Sequence, residues 1–468
     1  MISRIARKEF TELVRDGRFR VLGIAVLALS LLSLAVGWKS YRDLSHQHEV
    51  AQAATRRQWL SQDKKNPHSA AHYGMYAFKP KSPLAMVDTG VDPYVGVAVW
   101  MEAHKQNDFK FRPAQDRTAV QRFGDMTGAE LLQVLLPLFI VIMTFAAFAG
   151  EREQGTLRQL LSIGVNPRDL AAGKAAGVAT ALAVVLLPAT VFAVTAFALS
   201  ESGGLLAGDP VRVVLLGIAY LVYFAVLTAF ALFVSARARS SRVALVVLLT
   251  FWFFNSLVAT RAVADVAAWM YPTPSAIQFQ KALDAELGDA NEMKRRLDKR
   301  RAELLDQYKV SHVDALPIAF SGVSLQEGEN HANEVFDKYY GELFDQYARQ
   351  DRVTQWAGIF APMLAVRGLS MALSGTDFQQ HRDFADAAEQ YRRGIQRVMN
   401  GDIMTNQKKG QVYLADQTLW SQVPDFDYVA PPASWAMANQ TVSSAVLGGW
   451  LVASIGLMLL GARSARPE

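Results

Sequence analysis

Eight histidines, no cysteine and two broken hydrolase patterns bound the chemistry open to this 468-residue chain. His48-Glu49 opens like the zinc-protease helix, in which two histidines four apart share a face and a glutamate between them activates water; Gln52 stands where the second histidine is needed. Gly322-Val323-Ser324-Leu325-Gln326 breaks a Gly-x-Ser-x-Gly nucleophile elbow at its last position. Gly173-Lys174 lacks the upstream glycine of a phosphate-cradling Gly-x-x-x-x-Gly-Lys-[Ser/Thr] loop. That pair reads instead as a tight helix crossing followed by a headgroup-facing lysine. The lack of cysteine excludes disulfide staples, thiolate nucleophiles and Cys-based zinc sites. His46, His48, His68, His72, His104, His312, His331 and His381 all fall in two polar blocks. His68 and His72 are spaced to share a helical face as metal ligands, but Pro67 and Gly74 argue against that helix. They are expected to be surface histidines. No catalytic residue, no cofactor site and no metal site is expected in this chain.

The elements that carry these residues are set by lipid. Apolar residues make up 51% of the chain, more than a soluble protein of this length needs. The net charge of +5 divides into about +7 on short loops, termini and spans, about +4 on residues 39–127 and about −6 on residues 263–435. The basic excess therefore lies beside the membrane and sets orientation. With no aromatic-interleaved basic patch, it is no nucleic-acid footprint.

Hydropathy predicts an all-α polytopic membrane protein with six transmembrane helices and two extracytoplasmic, mainly helical insertions. Residues 1–20 form an interfacial helix whose basic face meets anionic headgroups. Residues 21–38 are the first span, about 27 Å at 1.5 Å per residue and too long for a signal peptide. Residues 39–127 are the first insertion, and 129–149 the second span. A charged hairpin occupies 150–174, and spans follow at 175–199, 211–234 and 243–261. The second insertion covers 263–435, with charged helices at Ile277 to Tyr308, Asn333 to Arg352 and Phe378 to Met399; the last span is 437–461. Pro137 and Pro188 sit inside spans, where neighbouring helices must satisfy the carbonyls they free. Residues 354–374 carry one charge, Arg367, and read as buried core of the second insertion, because a seventh span would place the C-terminal Arg463 and Arg466 outside. Both termini are then cytoplasmic, in the inner membrane. No Asp, Glu, His, Lys or Arg sits at the centre of a span, where ion-driven carriers place coupling ligands, so energy is expected to enter from elsewhere.

The hairpin is the stretch that can receive it. Gly150-Glu151-Arg152-Glu153-Gln154-Gly155-Thr156-Leu157-Arg158-Gln159-Leu160-Leu161-Ser162 joins two spans; Gly164 closes its short helix, and Asn166-Pro167 reads as an N-cap with Pro at the first helical position. The order acid, acid, Gly-Thr and an apolar Leu157, Leu160, Leu161 face suits docking in a partner's groove, with Gly155 permitting a sharp backbone path.

This pattern, with Leu-Leu-Ser and Gly173-Lys174 following, resembles the permease subunits of type-2 ABC exporters from about Leu131 to Leu199. Phe360-Ala361-Pro362 through Ser374-Gly375-Thr376-Asp377-Phe378 is similar to the branch with a large extracytoplasmic insertion before the last span. The resemblance implies that 150–174 is a coupling helix docking on an ABC ATP-binding subunit through Glu151, Arg152, Glu153, Gly155, Thr156, Leu157, Leu160 and Leu161. It also implies that ATP and Mg sit on that subunit, and that a second permease chain, identical or paralogous, completes the unit. The expected function is coupling ATP hydrolysis on a separate subunit to movement of a substrate across or out of the membrane. The alternative is a membrane-anchored envelope scaffold or sensor whose insertions bind a partner.

Overall fold

The computed structural model describes residues 1–116, 126–200 and 210–464; residues 201–209, between the spans expected at 175–199 and 211–234, and Arg466 lie outside them. Among the described residues six helices are long and apolar enough to cross a membrane. The chain starts with α1 (Ile2–Arg15), and Asp16 caps the next helix, α2 (Gly17–Leu60), by accepting from the Arg18 N–H at 2.8 Å. α2 runs well past the apolar stretch because residues 39–60 continue in helix-forming polar residues. It carries the chain from the bundle into the first insertion.

That insertion holds a short helix α3 (Pro67–Tyr73) and a three-stranded antiparallel sheet of β1 (Met75–Phe78), β2 (Ala98–Glu102) and β3 (Lys105–Gln106), with Met75 paired to Met101 and Met101 to Gln106. Asn66 accepts from the His68 N–H at 2.9 Å, and Pro67 occupies the first turn. Pro67 thus starts a helix and does not prevent one, because its missing N–H is one the first turn leaves unbonded in any case.

The second span, α4 (Gly128–Glu153), is followed by α5 (Thr156–Ser162) in the hairpin and by the spans α6 (Pro167–Ala198), α7 (Pro210–Arg237) and α8 (Ser241–Met270). The second insertion contains α9 (Ala276–Leu287), α10 (Ala290–Gln307), α11 (Phe320–Ala357), α12 (Pro362–Ser374) and α13 (Phe378–Asn406), before the last span α14 (Thr441–Arg463). The helix expected from Ile277 to Tyr308 is two, since Gly288 ends α9 and the Asp289 carboxylate caps α10. α12 is buried over most of its length, and Met363, Val366, Leu369 and Leu373 join the core of the spans. At 13 residues it reaches about 20 Å, too short to cross, and packs on α7 and α14.

Two spans contain π-helical turns, Leu131–Leu135 in α4 and Phe254–Val258 in α8. Pro137 frees the Gln133 carbonyl, and the Tyr223 hydroxyl donates to it at 3.3 Å. The two insertions share one core. Trp59 and Trp420 meet edge to face with centroids 6.2 Å apart, and the Trp59 indole N–H donates to the Trp420 carbonyl at 2.9 Å.

Candidate functional site: the hairpin and its buried ion network

The hairpin is tied to its own bundle by every charged residue at its start. Glu151 Oε1 lies 2.8 Å from Lys8 Nζ on α1 and 3.0 Å from Lys174 Nζ on α6, and Lys174 also reaches Glu9 Oε2 at 2.9 Å. Lys174 is only 1% exposed. A lysine expected at the headgroups is instead buried, because two carboxylates and the Phe148 ring, 5.5 Å away, replace its water. Burial works against the charge on Lys8, yet the hydrogen bonds it donates to Glu151 and Glu12 outweigh it and hold its pKa above the ordinary lysine range.

Glycine makes this approach possible. A Cβ on Gly173 would stand 2.5 Å from Ile5 Cβ, and one on Gly177 would stand 2.6 Å from Glu9 Cβ, so α1 can lie directly on α6 only where both side chains are absent. The tight crossing read from Gly173 is there, with α1 as the helix that crosses.

The next two charges tie in the other spans. Arg152 Nη1 donates to the Ala238 carbonyl at 2.6 Å and Nη2 to the Ala236 carbonyl at 2.7 Å, satisfying orphan carbonyls at the end of α7. The Glu153 carboxylate accepts from the Ser241 N–H at 2.9 Å and the Ser241 hydroxyl at 2.7 Å, capping α8 from outside. Just before the hairpin, Ser235 enters a break in the α4 hydrogen bonding: its hydroxyl accepts from the Phe148 and Ala149 N–H groups at 3.0 and 3.2 Å and donates to the Phe145 carbonyl at 2.8 Å.

Gly155 is left-handed at φ +75°, which turns the chain from α4 into α5, and the Thr156 hydroxyl donates to the Glu151 carbonyl at 3.1 Å. Leu157 is 1% exposed, packed among Phe148, Leu170, Leu232 and Met458; Leu160 and Leu161 cover the same cluster in part. The leucine face therefore first serves this chain's own core. Glu153, Gln154, Gly155, Arg158, Gln159, Ser162 and Ile163 remain exposed, Ile163 at 77%.

A second polar feature lies within the spans and carries no charged residue of its own there. Asn255 Nδ2 donates to Tyr223 Oη at 3.1 Å, Gln133 Nε2 to Tyr220 Oη at 3.0 Å, and Tyr220 Oη meets Ser370 Oγ at 2.8 Å, with Asp88 beyond it. Asn255 Oδ1 accepts from the Met363 N–H at 3.1 Å. Gln133 and Asn255 lie in the two π turns, so the irregular turns aim polar groups into one buried chain linking α4, α7, α8 and α12. Pairs of uncharged polar residues in neighbouring spans were the available signal.

Residues 276–429 match a family described as a domain of unknown function (DUF3526). No curated protein matches the chain. Residues 3–309, which include α1, five of the six spans and the hairpin, match the family described as ABC-2 family transporter protein. With six candidate spans and this match over more than half of its length, the chain belongs to the ABC-2 transporter family, as a multi-pass membrane permease component of an ABC transporter.

Proposed function

We propose that the chain is the transmembrane subunit of an ATP-driven exporter, and that the hairpin 150–174 is the coupling element on which a separate ATP-binding subunit docks. Both termini, the hairpin and residues 235–242 are cytoplasmic in this reading; the two insertions are extracytoplasmic, in the inner membrane. A second permease chain, identical or paralogous, completes the unit, and ATP and Mg stay on the ATPase. The supporting observation is the wiring of the hairpin. Lys8 and Lys174 join it to α1 and α6, Arg152 to α7, Glu153 to α8, and Leu157 packs on Met458 of α14. A force on the hairpin thus reaches five helices, and its link to α6 and α1 through Lys174 is a buried ion network, costly to break.

Docking then divides the expected residues. Glu151, Arg152, Thr156 and Leu157 transmit from within; Glu153 and Gly155 lie at the exposed edge, with Leu160 and Leu161 at the rim of the buried cluster. The exposed Gln154, Arg158, Gln159 and Ile163 present the outward surface. Arg158→Glu and Ile163→Asp should each reduce co-purification of the ATP-binding subunit, and the permease-dependent part of its ATPase rate, by roughly tenfold, as loss of a central contact does. If both variants hold and stimulate the ATPase as the parent does, the hairpin is a plain turn. The scaffold reading would then be favoured.

A further inference from the structure

Three histidines from two separate parts of the first insertion converge on one point. His68 and His72 are four residues apart on α3, one turn of the same face, and His104 sits between β2 and β3. His72 Nε2 is 3.2 Å from His68 Nε2, and His104 Nε2 is 3.1 Å from the same atom. Their ligand atoms all lie within 4.8 Å of one another. We propose that His68, His72 and His104 form a binding site for a divalent late transition-metal ion, Zn²⁺ by geometry, through their Nε2 atoms and with the fourth position open.

The spacing fits the ion. Zn–N bonds of about 2.0–2.1 Å in a tetrahedron place neighbouring ligand nitrogens about 3.3–3.4 Å apart. Two of the three separations are already within a few tenths of an ångström of that.

Proton counting points the same way. The His104 Nδ1 lies 2.7 Å from Glu329 Oε1, which fixes the proton on Nδ1 and leaves a lone pair on Nε2 in the neutral ring. One proton on His68 Nε2 can bridge to either His72 or His104, but not to both. In neutral rings one of the two close contacts is therefore left without a hydrogen bond, since a proton donated by His72 needs the His68 Nε2 lone pair, which then faces the lone pair of His104. A cation at the centre serves all three.

The surroundings are those of a supported metal ligand. Glu329, fully buried on α11, also accepts from the His104 backbone N–H at 2.9 Å, and its other oxygen takes a bond from Arg392 Nη1 at 3.1 Å. Arg392 is itself fixed on the same helix α13, its Nε and Nη2 donating to the two Glu389 carboxylate oxygens at 2.8 Å each. A carboxylate behind a ligating histidine orients the ring and raises its basicity. His104 is held at φ +64°, a left-handed conformation uncommon outside glycine and typical of ligand clamps. His72 is exposed, so an ion can enter and exchange from that side. With no thiolate in the chain, the site is one of imidazoles, which select Zn²⁺-like ions over Mg²⁺ or Ca²⁺. Since Glu329 and Arg392 belong to the second insertion, the ion would also bind more tightly when the two insertions are docked. This inference does not depend on the exporter reading.

The test uses the full chain, purified in detergent with a tag free of histidine and stripped by chelator. Titration with Co²⁺ should give one equivalent with the visible absorption of a tetrahedral nitrogen site, displaced by Zn²⁺. Glu329→Gln should weaken Zn²⁺ roughly 10–100-fold, and His104→Ala should weaken it further. His72→Ala, at an exposed position, should remove the Co²⁺ spectrum without changing the circular dichroism or melting of the apo protein. His312→Ala, on an exposed turn elsewhere, should leave binding intact. Less than one equivalent of either ion on the folded parent overturns the site, as does a Co²⁺ spectrum that survives His72→Ala.

Discussion

Lys174 on α6 stands 3.0 Å from Glu151 of the hairpin and 2.9 Å from Glu9 of α1, so one buried ammonium bridges three segments of the chain. Breaking a buried ion pair by removing one partner costs about 3–5 kcal/mol, because the other charge stays buried without compensation. Lys174→Met should lower the apparent Tm of the detergent-purified protein accordingly. Neutralising both acids in the same chain, with Glu9→Gln and Glu151→Gln, should recover most of the loss. A single variant that melts like the parent would remove the network from the account of stability.

Leu157 and Ile163 are six residues apart and differ fully in burial, at 1% and 77% exposed. Leu157→Ala should cost about 2–5 kcal/mol, through lost burial and the cavity left behind. Ile163→Ala should stay within about 0.5 kcal/mol of the parent. Thermal melts of the two variants check this, and equal shifts would contradict the assigned packing.

Orientation is testable because the chain has no cysteine of its own. Asn330→Cys should be labelled by an impermeant thiol reagent in intact cells, while Arg158→Cys and Arg239→Cys should react only after the membrane is opened. All three positions are exposed in the structure, so reactivity reports side and not burial. The reverse pattern would invert the topology proposed above.

Asp377 gives the pH dependence a sign. Burial pushes its pKa up from 3.8 to about 6, with Asp351 adding to the rise while the Gln380 N–H, Lys79 and Arg212 oppose it. The folded state holds this proton more tightly than the unfolded chain does. Its contribution to stability is therefore complete below pH 4 and is lost as pH rises to 6, a change on the order of 2–3 kcal/mol. Asp377→Asn, which retains an oxygen to cap α13, should flatten that part of the Tm profile. A profile that keeps the parent's slope between pH 4 and pH 6 would exclude Asp377 as its source.

The features with a local cause were legible in the sequence. Six apolar runs set six spans; Gly155, Gly164 and Asn166-Pro167 set a hairpin ending in a capped helix; Gly173 marked a helix crossing. Each follows from hydropathy, backbone conformation or capping within a few residues. Tertiary structure decided which way the side chains face. Glu151 pairs with a lysine 143 positions earlier, Leu157 fills a core made by four spans, and Asn255 meets Met363 across 108 positions. The same holds for the histidines. His68 and His72 were visible as a pair, but their third member is 36 positions away on a turn and its carboxylate 225 further on. Period and composition record what a segment buries, whereas the partner it is buried against is fixed by chain reversals whose geometry no single segment encodes.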